Sequence, residues 1–123
     1  MEKINLKYFS LEEFDSPDLP NSGVNMDSDF LQRLDDAREI ASIPFKINSG
    51  YRTKERNELV GGKPQSSHLK GKAADIAVKD SRERWIILDA LIKAGFNRIG
   101  IATTGFIHVD SDEDKSPNVI WTY

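Results

Sequence analysis

The sequence predicts an α+β fold in which helices pack on one small, mainly antiparallel sheet. Two segments repeat apolar residues at helical spacing, and several shorter segments have the alternating or apolar character of strands. A short TTG connection between residues 98–102 and 106–110 indicates a hairpin of two such strands. Because the chain has 123 residues and no interdomain linker, we expect a single domain over residues 1–123.

Up to residue 47, the chain is predicted to contain two helices and one strand. Ser10 and Glu13 have the spacing of a capping box and indicate a short helix, whereas residues 16–23 are turn-rich and should form a loop. Residues 28–41 have helical spacing, and residues 45–47 are predicted as a strand. The apolar positions of the longer helix are Phe30, Leu31, Leu34, Ala37, Ile40 and Ala41.

From residue 54 onward, the chain continues with predicted helices and strands. Residues 54–60 are predicted as a short helix that two glycines end, and residues 73–78 are predicted as a strand. A further helix begins near Asp80 and stops at Gly95. Its inner face is predicted to consist of Trp85, Leu88, Leu91 and Ile92.

Composition excludes several classes of protein. The net charge is −3 and the pI is about 5.4, so no basic surface favours nucleic acid or an anionic membrane. Cysteine is absent, which excludes disulfides and thiolate zinc sites. No apolar run approaches the ~18 residues of a membrane span, and the segment MEKINLKYFSLEEF lacks the apolar core of a signal peptide. We therefore expect a monomer that is made in the cytoplasm and does not bind membranes.

Two histidines and one aspartate are candidate metal ligands. His68 comes just before a turn in LKGK, and Asp75 lies in the strand that follows, so a hairpin of this length can fold His68 back over Asp75. Alternate residues of a strand share a face, which places His108 and Asp110 on the same side of the segment FIHVD. If the two strands are neighbours, the two imidazoles and the Asp75 carboxylate converge.

This set of side chains suits zinc, because three protein ligands leave a fourth position open for water. A metal would also offset the cost of placing a carboxylate in an apolar strand. The spacing alone leaves the alternative open, since a buried histidine is more often a hydrogen-bonded core residue and a strand aspartate often pairs with lysine.

Several motifs occur together in the order S-G-Y-R, V-G-G, S-x-H-x-x-G-x-A-x-D and F-I-H-V-D, followed by a late tryptophan. In this combination the chain resembles the zinc D-Ala-D-Ala carboxypeptidase family, peptidase family M15. The similarity is greatest to the short single-domain branch found in bacteria and bacteriophages, and it covers nearly the whole chain. The family includes phage endolysins and peptidoglycan dipeptidases, and its fold resembles the Hedgehog signalling domain.

The resemblance implies that His68, Asp75 and His108 are zinc ligands. It also implies that Arg52, the arginine of S-G-Y-R, holds a substrate carbonyl or carboxylate and stabilises developing charge. The alternative for Arg52 is a structural role, in which it bridges the end of a strand to a loop. Ser66 has two interpretations as well, namely a partner that orients a ligand or a solvated loop hydroxyl.

The chain departs from the family at the general base. Family enzymes usually carry Glu, Asp or His two or three residues before the last zinc histidine, and this chain has Phe106 and Gly105 there. Asp110 is the nearest replacement. It could accept a proton from water or orient the imidazole of His108, and we favour the orienting role.

These observations predict a zinc metallopeptidase that cleaves the stem peptide of bacterial peptidoglycan at a bond involving D-alanine. Without a signal peptide, it would reach the cell wall after lysis, through a holin or by delivery in a particle. The alternative is a zinc-containing binding or structural module, for example a phage particle component, which has kept the fold and lost hydrolysis. The missing base favours that alternative.

Overall fold

Residues 5–123 are described by a computed structural model, and their architecture confirms the predicted α+β class. Their helices are α1 Ser28–Ala41, α2 Lys54–Leu59 and α3 Ser81–Lys93. Their strands are β1 Ile47–Ser49, β2 Ala73–Ala77, β3 Arg98–Ala102, β4 Phe106–Asp110 and β5 Val119–Thr122. Short 3-10 turns span Leu11–Phe14, Ser22–Asn25 and Ser67–Lys70. No helix among residues 5–123 has the length and apolar character needed to cross a membrane.

The five strands form one mixed sheet in the order β1-β2-β4-β3-β5. The pairs β1–β2, β2–β4 and β3–β4 are antiparallel, and β3–β5 is parallel. The predicted hairpin of β3 and β4 is confirmed. Gly105 lies in its turn with φ +103°, a conformation that side-chain-bearing residues rarely adopt.

The two faces of the sheet have different roles. One face packs against α1 and α3, and its buried residues are Ala74, Ile76, Ile99, Ile107 and Val109. Side chains alternate along each strand, so the polar residues of β2 and β4 point to the opposite face. One row of cross-strand partners runs over that face through all five strands, and it consists of Ser49, Asp75, His108, Gly100 and Trp121.

Helix α1 follows the predicted periodicity except at one position. Asp27 caps its start by accepting a hydrogen bond from the Phe30 amide at 2.9 Å. Five of its side chains are buried, whereas the apolar Ile40 is 45% exposed. At 3.6 residues per turn, Ile40 lies about 120° around the helix from the buried Leu34, beyond the edge of the apolar stripe.

Helix α3 also presents a different stripe from the one predicted. Asp80 caps it, accepting from the Glu83 amide at 2.8 Å. Trp85 and Ile92 are 67% and 50% exposed, so their predicted core positions are wrong. Each lies about 100–120° around the helix from the core residue Leu91. The residues that face the core are Ile87, Ala90 and Leu91, with Leu88 partly buried beside them.

The remaining differences concern short segments. The helix predicted at Ser10 is the single 3-10 turn Leu11–Phe14, and the segment 16–23 predicted as a loop contains the start of a second such turn. Strand β1 begins two residues later than predicted because Phe45 turns into the core instead of pairing. Strand β5 was not predicted at all. It has only four residues, is half exposed, and joins the sheet through the non-local parallel pairing with β3.

Candidate metal centre

The three predicted ligands lie together on the face of the sheet that is opposite to α1 and α3. Asp75 Oδ1 is 3.4 Å from His68 Nε2 and 2.9 Å from His108 Nδ1. One ligand atom from each of the three residues lies within 4.8 Å of the others. Tetrahedral zinc with bonds of about 2.0–2.1 Å requires donor atoms about 3.3 Å apart. The donor types and their separations therefore fit a metal ion held by two imidazoles and one carboxylate.

Local structure explains how the chain places these ligands. Asp75 and His108 are direct cross-strand partners on β2 and β4. His68 lies on the 3-10 turn Ser67–Lys70, and Ser66 caps that turn by accepting from the His68 amide at 3.2 Å. Gly71 ends the turn with φ +70°, and a Cβ there would lie 2.3 Å from the Asn25 carbonyl oxygen. Ser66 thus acts on the backbone that carries His68.

In each histidine, the ring nitrogen that does not face Asp75 has a hydrogen-bond partner of its own. His68 Nδ1 is 2.7 Å from the Gly50 carbonyl oxygen, which can only accept, so Nδ1 is the donor there and Nε2 is the nitrogen that faces Asp75. His108 Nε2 is 2.8 Å from Asp110 Oδ2, so Nδ1 is the nitrogen that faces Asp75. Such outer partners fix the orientation of metal-binding histidines and raise their basicity.

Charge is concentrated around Asp75 and His108. Burial raises the pKa of Asp75, but hydrogen bonds with His108 and His68 outweigh it and hold the pKa well below its usual range. Burial lowers the pKa of His108, but contacts with Asp110 and Asp75 raise it overall. A carboxylate that stays ionised beside imidazole nitrogens is a ready ligand for a cation.

Arg52 follows β1 and reaches the same place. Its Nε donates to Ser49 Oγ and its Nη1 to Asn57 Oδ1, both at 3.2 Å, while Nη2 is 3.6 Å from Asp75 Oδ2. Asn57 is buried, and Gly62 packs so closely on it that a Cβ there would lie 2.0 Å from Asn57 Oδ1. Two anchors therefore fix the guanidinium and leave its Nη2 edge toward the candidate metal.

Asp110 has partners on both carboxylate oxygens. Oδ2 contacts His108 Nε2, and Oδ1 accepts from Arg98 Nε at 2.7 Å and from the Asp112 amide at 3.2 Å. Burial raises the pKa of Asp110, while the bonds to His108 and Arg98 lower it overall. Asp110 lies on the His108 face as predicted, whereas the contact of Arg98 with it was not predicted.

The candidate metal-binding group lies on the floor of a cleft of about 600 Å³. One wall is aromatic: the Trp121 ring centroid is 5.6 Å from that of His108, and Tyr123 is 5.5 Å from Phe106. Gly100 makes this wall possible, because a Cβ there would lie 2.6 Å from Trp121 Nε1. Strand β5 was not predicted, although its β-branched and aromatic residues were a usable signal for it.

Comparison with known families identifies the chain. A model of the family described as Peptidase M15 matches residues 7–110, which is most of the sequence. The chain belongs to the peptidase M15 family. This M15 peptidase is therefore a metallopeptidase by family, and its His–Asp–His group is of the kind that could hold the metal. The aromatic residues of β5 lie beyond the matched segment. No curated protein matches the chain.

Proposed function

We propose that this M15 peptidase is a zinc-dependent hydrolase that cleaves the stem peptide of bacterial peptidoglycan at a bond involving D-alanine. The observation that carries the proposal is the convergence of His68 Nε2, Asp75 Oδ1 and His108 Nδ1 on the floor of one cleft. A donor set of two imidazoles and one carboxylate suits zinc, and three ligands leave one position open. When bound, zinc supplies a Lewis acid that polarises a carbonyl and lowers the pKa of water.

In this proposal the residues around the cleft have separate roles. His68, Asp75 and His108 hold the metal. Arg52 binds a substrate carbonyl or carboxylate and stabilises the negative charge that develops during attack. Support comes from its position, since Ser49 and Asn57 occupy Nε and Nη1, while the nearest charged atom to Nη2 is Asp75 Oδ2 at 3.6 Å.

Asp110 is proposed to orient His108 and not to act as general base. Both of its oxygens are engaged, and one of them contacts the ring nitrogen that faces away from the metal position. A general base must reach the proton that it abstracts, which requires a lone pair directed at the substrate side. Gly105 and Phe106 do not replace it, because neither side chain has an atom that accepts a proton.

The absence of a general base at these three positions favours the second candidate, a zinc-containing binding module without hydrolysis. The experiment that separates the two is digestion of purified peptidoglycan by the protein as purified, after chelation, and after zinc is added back. Mass spectrometry should detect free D-alanine or shortened stem peptides, which disappear on chelation and return with zinc. Protein that holds zinc and releases no product across a wide pH range would instead establish the binding module.

A further inference from the structure

Arg98 is the first residue of β3, and its side chain is 12% exposed on the face that carries the cleft. It contacts three separate parts of the site. Its Nε donates to Asp110 Oδ1 at 2.7 Å, and its Nη1 donates to the Ser116 carbonyl at 2.5 Å. Its guanidinium carbon lies 5.1 Å from the ring centroid of Trp121.

Two of these contacts lead to the same imidazole. Asp110 holds the edge of the His108 ring through Nε2, and Trp121 lies against its side with ring centroids 5.6 Å apart. Asp110 Oδ1 also accepts from the Asp112 amide at 3.2 Å, so the bond from Arg98, at 2.7 Å, is the shorter of the two that fix the plane of the carboxylate. The same guanidinium therefore restrains both neighbours that determine how His108 is turned.

We propose that Arg98 is a positioning residue of the metal centre, which aims His108 Nδ1 at the metal through Asp110 and Trp121. This inference rests on the proposed zinc function, since it concerns the affinity and geometry of that site. Arginine suits the task because its planar group can bond a carboxylate, bond a carbonyl and stack on an indole at once.

The competing explanation is purely structural, in which Arg98 only neutralises buried Asp110 and ties down the loop at Ser116. Neutral substitutions do not separate the two explanations. They leave a buried carboxylate without its counter-charge, which destabilises the fold. They also remove a positive charge that repels zinc, so an effect on geometry would be partly cancelled. Arg98→Lys keeps the charge and removes the planar contacts.

The experiment compares Arg98→Lys with Arg33→Lys, a matched control. Arg33 also lies over an aromatic ring, with its guanidinium carbon 5.6 Å from the Phe96 centroid, but it does not line the cleft. Zinc affinity is measured by competition with a chromophoric chelator, and ligand geometry by the visible spectrum of the cobalt-substituted protein. Arg98→Lys should weaken zinc binding by about 10-fold, the lower end for an outer partner, and shift the cobalt bands. Arg33→Lys should change neither.

A double-mutant cycle tests the route. In an Asp110→Asn background, Arg98→Lys should lose most of its effect on zinc affinity, because coupled residues are not additive. An Arg98→Lys protein with wild-type zinc affinity and cobalt spectrum, whatever its thermal stability, would overturn the positioning role alone. Wild-type protein that binds no zinc would overturn the proposed function, and this inference with it.

Discussion

Two aspartates near the cleft, the partly buried Asp75 and the buried Asp112, have different kinds of hydrogen-bond partners. Their side chains are 14% and 1% exposed. Asp112 accepts from Lys70 Nζ at 2.9 Å and from Ser67 Oγ at 2.7 Å, and Lys115 Nζ lies 3.3 Å away. For both aspartates, burial raises the pKa, and the surrounding donors outweigh it and hold the pKa far below its ordinary value.

The difference is in the groups that lie within hydrogen-bond distance of each carboxylate. Lysine stays protonated across the neutral range, so Asp112 is neutralised by the protein itself. Asp75 faces the ring nitrogens of His68 and His108 at 3.4 and 2.9 Å, and an Arg52 nitrogen lies farther away, at 3.6 Å. A buried carboxylate whose oxygens are hydrogen-bonded by lysine and serine serves the fold, whereas a carboxylate that faces two imidazole nitrogens is suited to hold a cation. The pair therefore contrasts a structural acid with a candidate metal ligand.

The largest expected effect is a difference in zinc binding between variants of Asp75 and Asp112. Asp75→Asn should weaken zinc binding by about 10³-fold or more, because even an outer partner is worth about 10–100-fold. Asp112→Asn should leave zinc binding unchanged and lower the free energy of unfolding by about 1–3 kcal/mol through its lost hydrogen bonds. Zinc competition measures the zinc affinity of both variants, and urea unfolding measures their free energy of unfolding. Similar losses of zinc from the two would show that the distinction is wrong.

The next effect concerns the cation beside Asp75. Arg52→Ala should lower kcat/KM by about 10²–10³-fold, the range for loss of one donor that stabilises a developing oxyanion. Zinc content and thermal stability should stay the same, and Arg52→Lys should not restore full activity. Arg56→Ala, on the neighbouring helix α2, is the control and should be fully active. An equal loss of stability and activity would support the structural role for Arg52.

A smaller effect tests Asp110. If it orients His108, Asp110→Asn should weaken zinc affinity by about 10–100-fold, and excess zinc should restore activity. If it is the general base, the variant should keep its zinc and lose about 10²–10⁴-fold in rate. Asp114→Asn is the control, since Asp114 is exposed and contacts Lys70 at the surface.

The smallest expected effect concerns Asp112 and the pH dependence of its contribution to stability. The pKa of Asp112 is depressed in the folded protein, so the unfolded state binds more protons as the pH falls. The stabilisation from Asp112 should be complete above the ordinary carboxyl pKa of about 4 and decline below it. Urea midpoints from pH 6 to pH 3 should fall less steeply for Asp112→Asn than for the wild type. Parallel slopes would contradict the prediction.

Local patterns predicted the parts of this molecule that are locally determined. Helix α1, the β3–β4 hairpin and the shared face of His108 and Asp110 follow from spacing alone. Spacing could not decide whether Asp75 was a ligand, and the motif resemblance supplied that hypothesis. The flank of α3 was misjudged because Trp85 is apolar yet exposed. From spacing alone, an apolar stripe on the exposed flank of a helix cannot be distinguished from an apolar stripe that faces the core.

The rest of the site depends on contacts between distant segments. Gly100 matters because β5 pairs in parallel with β3, and nothing near Gly100 in the sequence indicates that pairing. Asp110 and Asp112 are two residues apart and look alike in the segment HVDSDED. One contacts His108 and Arg98, and the other contacts lysines from different segments. Only the three-dimensional arrangement distinguishes them.

The most direct test of the account is the zinc content of the purified protein, measured by elemental analysis after chelation and reloading. We predict one zinc per chain in the wild type, almost none in His68→Ala or His108→Ala, and a higher melting temperature with zinc than without it. Zinc should stabilise the fold because a ligand that binds only the folded state shifts the unfolding equilibrium. Full zinc content in either histidine variant would contradict the assignment of the metal centre.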